Sequence, residues 1–154
     1  MKNYVAGFLF NSGCTHVALV EKQKPEWQKG LLNAIGGKIE NVWADYDLTK
    51  QNPEAPVVAM VREFVEETGL QTSNDDWAEF CILTGNDFTV HFFYYVMGVH
   101  DIGKRLQTVT AERILVEPIR HNRRRIANLE WLIPMAISAY MGENSAKVHL
   151  VTES

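Results

Sequence analysis

The sequence predicts a mixed α/β fold, and three observations carry that prediction. Short apolar and aromatic runs of strand character lie on both sides of the segment 56–68, whose apolar residues recur at helical spacing. A second helical stretch, 126–140, lies near the end of the chain. The 154 residues, 46% of them hydrophobic and 22% charged, have the size and composition of one domain with its own core.

Each element follows from local chemistry. Residues 4–10 are apolar and aromatic, and Asn11, Ser12 and Gly13 supply a turn before the β-favouring run 15–20, so the two predict a hairpin. Residues 21–30, polar and holding Pro25 and Gly30, predict a loop; 31–35 predicts a short strand that ends at Gly36 and Gly37. Residues 41–53 are mostly polar. Asp45, Asp47, Asn52 and Pro53 break any periodicity there, and Val42, Trp43 and Tyr46 interrupt the polarity, so an inserted loop is expected. Val58, Val61, Phe64 and Val65 then set a helical period, with Pro56 suited to the first turn and Gly69 to the C′ position. Beyond the polar link 73–76, the runs 80–83 and 88–97 predict strands joined through Gly85, Asn86 and Asp87, and 114–116 predicts one more. In the helix expected over 126–140, Pro134 must sit at the start or form a kink. With no internal repeat or linker, a single domain over 1–154 is expected.

Charge and cysteine usage narrow the function classes. A net charge of −4 offers no long-range attraction to a polymeric nucleic acid, which is disfavoured as a partner. A small phosphorylated substrate stays compatible, because a bound cation supplies positive charge locally. Cys14 and Cys81 are far apart and form no CxxC pair, so neither a disulfide framework nor a thiolate zinc site is suggested, and the cytoplasm fits best. The apolar run 5–10 is too short for a secretory segment or a membrane span, so a soluble protein without a membrane partner is expected, as monomer or homodimer.

The chemistry concentrates in Arg62-Glu63-Phe64-Val65-Glu66-Glu67-Thr68-Gly69-Leu70. At about 100° per residue, Glu63, Glu66 and Glu67 share one helix face. Without counter-charge they repel, and a divalent cation resolves the conflict. Mg²⁺ takes hard oxygen ligands together with water and phosphate oxygens, Mn²⁺ being the alternative ion, and such a cation meets the needs of pyrophosphate hydrolysis.

Residues 62–70 resemble the second half of the Nudix box, Arg-Glu-apolar-any-Glu-Glu-any-Gly-apolar, with every fixed position present. Glu54 stands where that pattern asks for an earlier glutamate, and Gly37 in Gly36-Gly37-Lys38-Ile39-Glu40 matches its opening glycine. One departure is plain: the pattern spaces the glycine and first glutamate by five residues, whereas 38–53 intervenes here. Surface loops tolerate such insertions because closure entropy rises slowly with length.

The resemblance implies an α/β/α sandwich with a mixed β-sheet and a hydrolase that cleaves a pyrophosphate bond in a nucleoside diphosphate derivative. It makes Glu66 and Glu67 metal ligands, Glu63 a further ligand or the general base, the Gly37 carbonyl another ligand, and Arg62 the group that orients a carboxylate. Glu54 resembles the outer glutamate that braces loop and helix; Gly36 and Gly37 permit a backbone path that a side chain would obstruct. A further metal-linked glutamate beyond the box is expected at Glu112, with Glu79 and Glu117 as alternatives. Asn33-Ala34-Ile35-Gly36-Gly37-Lys38 is similar to the Asn-Gly-Phe-Gly-Gly-Lys segment of relatives acting on oxidised purine nucleoside triphosphates. It marks Asn33 as a base contact, with an ordinary turn as the alternative reading, and puts Lys38 with it on the substrate side.

Other residues carry paired readings. Trp131 borders the nucleotide pocket in the resemblance, or anchors the last helix; Trp27 and Trp43 flank the glycine pair and could close over a substrate. His91, Tyr94 and Tyr95 stack on a base or pack in the core. Arg123, Arg124 and Arg125 contact phosphates or form a solvated surface. The expected substrate is a nucleoside triphosphate, an oxidised purine form included, giving a monophosphate and pyrophosphate. ADP-ribose or a dinucleotide is the alternative within the same chemistry, and a non-catalytic nucleotide-binding regulator is the alternative outside it.

Overall fold

The computed structural model describes residues 1–44, 47–120, 124–142 and 147–152, with backbone only at 43, 44 and 48. Its centre is β1 (Lys2–Phe10), whose alternating side chains serve both faces of a sheet. β1 turns through 11–15 into antiparallel β2 (His16–Glu21), with Leu9 opposite Ala18 and Phe10 opposite Val17. Its first half pairs instead with β4 (Ile35–Lys38), so that one edge of β1 is shared by two strands. The other edge runs parallel to β8 (Phe88–Val96), which pairs antiparallel with β7 (Ala78–Thr84) across the predicted turn. β3 (Leu32–Asn33) and β9 (Ile114–Pro118) both pair with β2, and β10 (Val148–Val151) adds to β7 in parallel. The result is a mixed sheet of eight strands among the described residues.

One helix covers each face. Val5, Leu9, Ala18, Val20 and Ile35 pack with Ala59, Met60 and Phe64 of α1 (Pro56–Thr68). Phe8, Phe10, Val17 and Leu19 point the opposite way and pack with Leu129, Leu132, Ile133 and Ala136 of α2 (Leu129–Tyr140). This is the expected sandwich. Among the described residues no helix is long and apolar enough to cross a membrane.

Three expectations need correction. Residues 41–53 are not a loop: β5 (Asn41–Ala44) and β6 (Asp47–Pro53) form a two-stranded antiparallel ribbon. Periodicity missed it because none of the ribbon's described side chains joins the core clusters; Tyr46 and Asp45 lie outside the described residues. In α1 the buried stripe is Ala59, Met60, Phe64 and Thr68, whereas Val58 is exposed and Val61 and Val65 flank the stripe. The i, i+4 rows of the longer side chains, rather than the valines, meet the sheet. α2 begins at Leu129 instead of 126; of the two alternatives for Pro134, a place at the helix start is excluded, since it lies inside the helix. Ile126 is drawn away by its amide, which bonds the Leu32 carbonyl at 2.9 Å and ties the segment to β3.

Candidate active site

α1 is delimited by its own residues. Pro56 stands in the first turn, where its missing N–H costs nothing, and Gly69 takes the left-handed conformation (φ 75°) that closes the helix, its amide bonding the Val65 carbonyl at 2.9 Å. With Phe64 and Thr68 buried against the sheet, Glu63, Glu66 and Glu67 lie on the flank beside β4 and the 107–112 segment.

Arg62 organises that flank. Its Nε donates to both oxygens of Glu54 at 3.2 Å, its Nη1 to Glu63 at 2.9 Å, and its Nη2 to the Lys38 carbonyl at 2.9 Å. Glu66 stands 3.4 Å from Nη1, and Glu40 3.6 Å. The sequence reading left the three helix carboxylates without counter-charge; Arg62 supplies part of it. Glu54, buried, also accepts the Glu40 amide at 3.0 Å. Burial opposes its charge, but the Arg62 hydrogen bonds, the Glu40 amide and the Arg62 charge together hold its carboxyl below the usual range. Glu54 thus pins both ends of the inserted ribbon, at Glu40 and at itself, to the helix.

Glu67 belongs to a second chain of contacts. Thr110 Oγ1 donates to it at 3.1 Å and accepts the Glu112 amide at 3.1 Å, while Glu112 takes hydrogen bonds from the Gln23 amide (2.6 Å) and Lys22 Nζ (3.2 Å). Burial pushes the Glu67 carboxyl up, and the negative charges of Glu112 and Glu66 add to it. Burial likewise raises Glu63, against Arg62 and with Glu66 and Glu67. Burial is the larger cause at both carboxyls, and the mutual repulsion of Glu63, Glu66, Glu67 and Glu112 adds to it against Arg62 and Lys22.

Gly37 explains itself through Glu63: a Cβ there would fall on the Glu63 carboxylate, and one at Gly36 would fall on the Val5 carbonyl. The glycine pair therefore lets the carboxylate lie directly on β4. Both glycines also line a cavity of about 570 Å³ on the α2 side of the sheet, shared with Tyr4, Lys22, Trp27, Asn33, Phe88 and Asn128. The pair separates this cavity from the carboxylates by one strand thickness.

No protein-family model and no curated protein matches the sequence. Solved structures do. The chain is similar to MutT, in a study of the Aliivibrio salmonicida and Vibrio cholerae proteins, at TM-score 0.62 and 20% identity over 89% of this chain and 98% of that one. It is similar to the NUDIX domain of Shewanella oneidensis NrtR complexed with ADP ribose, at TM-score 0.68 and 17% identity over 90% and 87%. A NUDIX hydrolase from Nitrosomonas europaea superposes at TM-score 0.66 with 12% identity over 99% and 79%. The fold is that of the Nudix family.

Within this Nudix fold the predicted residues separate into two groups. Glu54, Arg62, Glu63, Glu66, Glu67, Gly36 and Gly37 form one continuous site, and Glu112 joins it through Thr110. Glu79 does not: it holds His91 Nδ1 at 2.7 Å and pairs with Lys147. Glu117 is buried in β9, opposite Val17. Asn33, at the end of β3, lines the cavity, its Nδ2 donating to Gln28 at 3.1 Å while its Oδ1 accepts the Ala34 amide at 2.7 Å. Lys38 and Trp131 do not line the cavity. Lys38 is exposed and joins the site through its carbonyl, and Trp131 lies 38% exposed on α2 while Asn128, Leu129 and Leu132 take the inner positions. Tyr95 packs on Trp77 and Tyr94 on Phe80, the core alternative. The Trp43 side chain and Arg123 lie outside the described residues. Lys22, Gln28 and Asn128, which also line the cavity, were not marked in the sequence because no spacing or motif sets them apart.

The donor set on α1, carboxylate oxygens with one backbone carbonyl nearby, is the kind a hard divalent cation takes. Among the described residues no three such groups converge as they stand. Glu66 is the most exposed of the three and meets Arg62 at 3.4 Å, whereas Glu63 and Glu67 are held more closely by Arg62 and Thr110.

Proposed function

We propose that this chain hydrolyses a pyrophosphate bond in a nucleoside diphosphate derivative with Mg²⁺ as cofactor, a nucleoside triphosphate being the first-choice substrate. The observation that carries the reading is the Gly36-Gly37 pair, with the Glu63 carboxylate on one side and a nucleoside-sized cavity lined by Asn33 and Asn128 on the other. The cation would be held by Glu66, Glu67, Glu63 and the Gly37 carbonyl, with Glu112 nearby, and when bound supplies charge neutralisation of the diphosphate and acidification of a water. Glu63, raised by burial, is suited to take the proton from that water as its oxygen forms the new bond to phosphorus. The anhydride P–O bond breaks, the nucleoside monophosphate and pyrophosphate part, and Arg62 keeps Glu63 aimed while Glu54 keeps Arg62 in place. Lys22, at the cavity wall, is placed to meet phosphate oxygens once it leaves Glu112.

Within the same chemistry, ADP-ribose is the alternative substrate; the NrtR structure, complexed with ADP ribose, supports it. A non-catalytic regulator is disfavoured by the complete set of box carboxylates. The test is Mg²⁺-dependent product release from nucleoside triphosphates, 8-oxo-dGTP, ADP-ribose and dinucleotides by the native chain, Glu66→Gln and Glu67→Gln. Product identity names the substrate. Loss of turnover in both variants, with folding intact, supports the site; binding without turnover in the native chain moves the regulator reading to the front.

A further inference from the structure

The cavity under Gly36 and Gly37 shares part of its wall with a second space. Trp27, Ile126 and Leu129 line it and also line a second, larger groove of about 1220 Å³ along α2. Arg120, Arg124 and Arg125 line that groove, with Glu130 as the acidic residue beside them. This is a local excess of positive charge in a chain of net charge −4. Arg120 and Arg124 are exposed, and guanidinium forks match phosphate oxygens in geometry as well as charge.

Arg125 is held in the groove wall. Its Nη1 and Nη2 donate to the carbonyls of Ile119 and Pro118 at 2.8 and 2.7 Å, whereas its buried Nε–H has no acceptor among the described residues. The Nε atom is closed off from solvent, so Arg125 belongs to the groove wall, and the exposed Arg120 and Arg124 are the residues open to a ligand. Trp27, 69% exposed, stands where the two spaces meet and offers an indole face to a planar ring.

We propose that the groove is a second anion subsite, which selects substrates whose nucleoside carries a further phosphate on its sugar, remote from the diphosphate to be cleaved. The inference rests on the nucleotide reading above. With the diphosphate at Gly37 and the nucleoside in the smaller cavity, ligand atoms passing Trp27 belong to the far side of the nucleoside, and a 2′- or 3′-phosphate is the anion a nucleotide presents there. Two sources share this chemistry: a small nucleotide with a 3′-phosphate, and the internucleotide phosphate of a 5′-phosphorylated oligonucleotide.

The test needs no turnover. Calorimetric titration of the full chain with AMP, adenosine 3′,5′-bisphosphate and the dinucleotide pApA, and with their guanine counterparts, is compared with the same titrations of the Arg120→Ala/Arg124→Ala double variant. A ligand with the added phosphate is expected to bind about tenfold more tightly than the 5′-monophosphate, and the double variant to lose that advantage while binding the monophosphate as before. A gain with the bisphosphate points to the small nucleotide, and a gain confined to pApA to the oligonucleotide; either supports the subsite. Equal affinities, or an advantage that survives the double substitution, overturn the subsite and leave the nucleotide reading standing. Absence of binding by all ligands overturns both.

Discussion

The two sides of the sheet are built from the same alternating strands, yet they bear different loads. On the α1 side four helix positions are buried, and most remaining specificity lies in a charged network of Arg62 with Glu54, Glu63 and Glu66, continued by Glu67, Thr110 and Glu112. On the α2 side the helix buries Leu129, Leu132, Ile133 and Ala136 and contributes shape to a cavity. One face is constrained by chemistry and the other by packing. Substitutions on the two faces should therefore fail in different assays.

The widest separation is expected between Glu63→Gln and Leu19→Ala, the latter fully buried on the α2 side and outside the cavity lining. The first removes a proton acceptor and is expected to lower kcat by about 10²–10⁴-fold while the unfolding transition stays near native. The second leaves a void in the core and is expected to cost roughly 2–5 kcal/mol in urea unfolding with kcat little changed. A Glu63→Gln protein that keeps its turnover would break the assignment of chemistry to the α1 face.

Glu54→Gln sharpens the comparison through pH. Removing one partner of this partly exposed ion pair leaves Arg62 short of its counter-charge, at about 1 kcal/mol. Because the folded Glu54 carboxyl is held below its unfolded value of about 4.3, its contribution is fully present above that pH and disappears as pH falls through the lowered folded value. Urea midpoints of native and variant should thus differ at pH 7 and converge toward pH 3. A constant gap would show that shape, not charge, holds the ribbon base.

The smallest effect separates two tryptophans. Trp27→Ala is expected to raise KM roughly tenfold by loss of a stacking surface, with kcat preserved, whereas Trp131→Ala, outside the cavity lining, should leave KM unchanged. Steady-state kinetics on the substrate found above decide it.

Much of the fold was legible because its signals are local. The hairpin of β1 and β2, the β7–β8 pair and the termini of α1 follow from apolar runs, turn residues, Pro56 and Gly69. The 41–53 ribbon was not legible, since its strands pair with each other and its described side chains show no buried periodic face. Nor was the true buried stripe of α1, because valines compete with Met60 and Phe64 in sequence and only the sheet selects between them.

What the sequence alone determined is the order of the reactive groups: three carboxylates and an arginine on one helix turn after another, a fixed consequence of helical geometry. Only the tertiary structure decided which partners meet them. Lys38 gives its carbonyl rather than its ammonium, Glu112 rather than Glu79 comes near Glu67, and Trp27 rather than Trp131 walls the cavity. These choices join residues tens of positions apart, and the register of strands and the path of loops that bring them together are set by how both faces of β1 are buried, which no local spacing encodes.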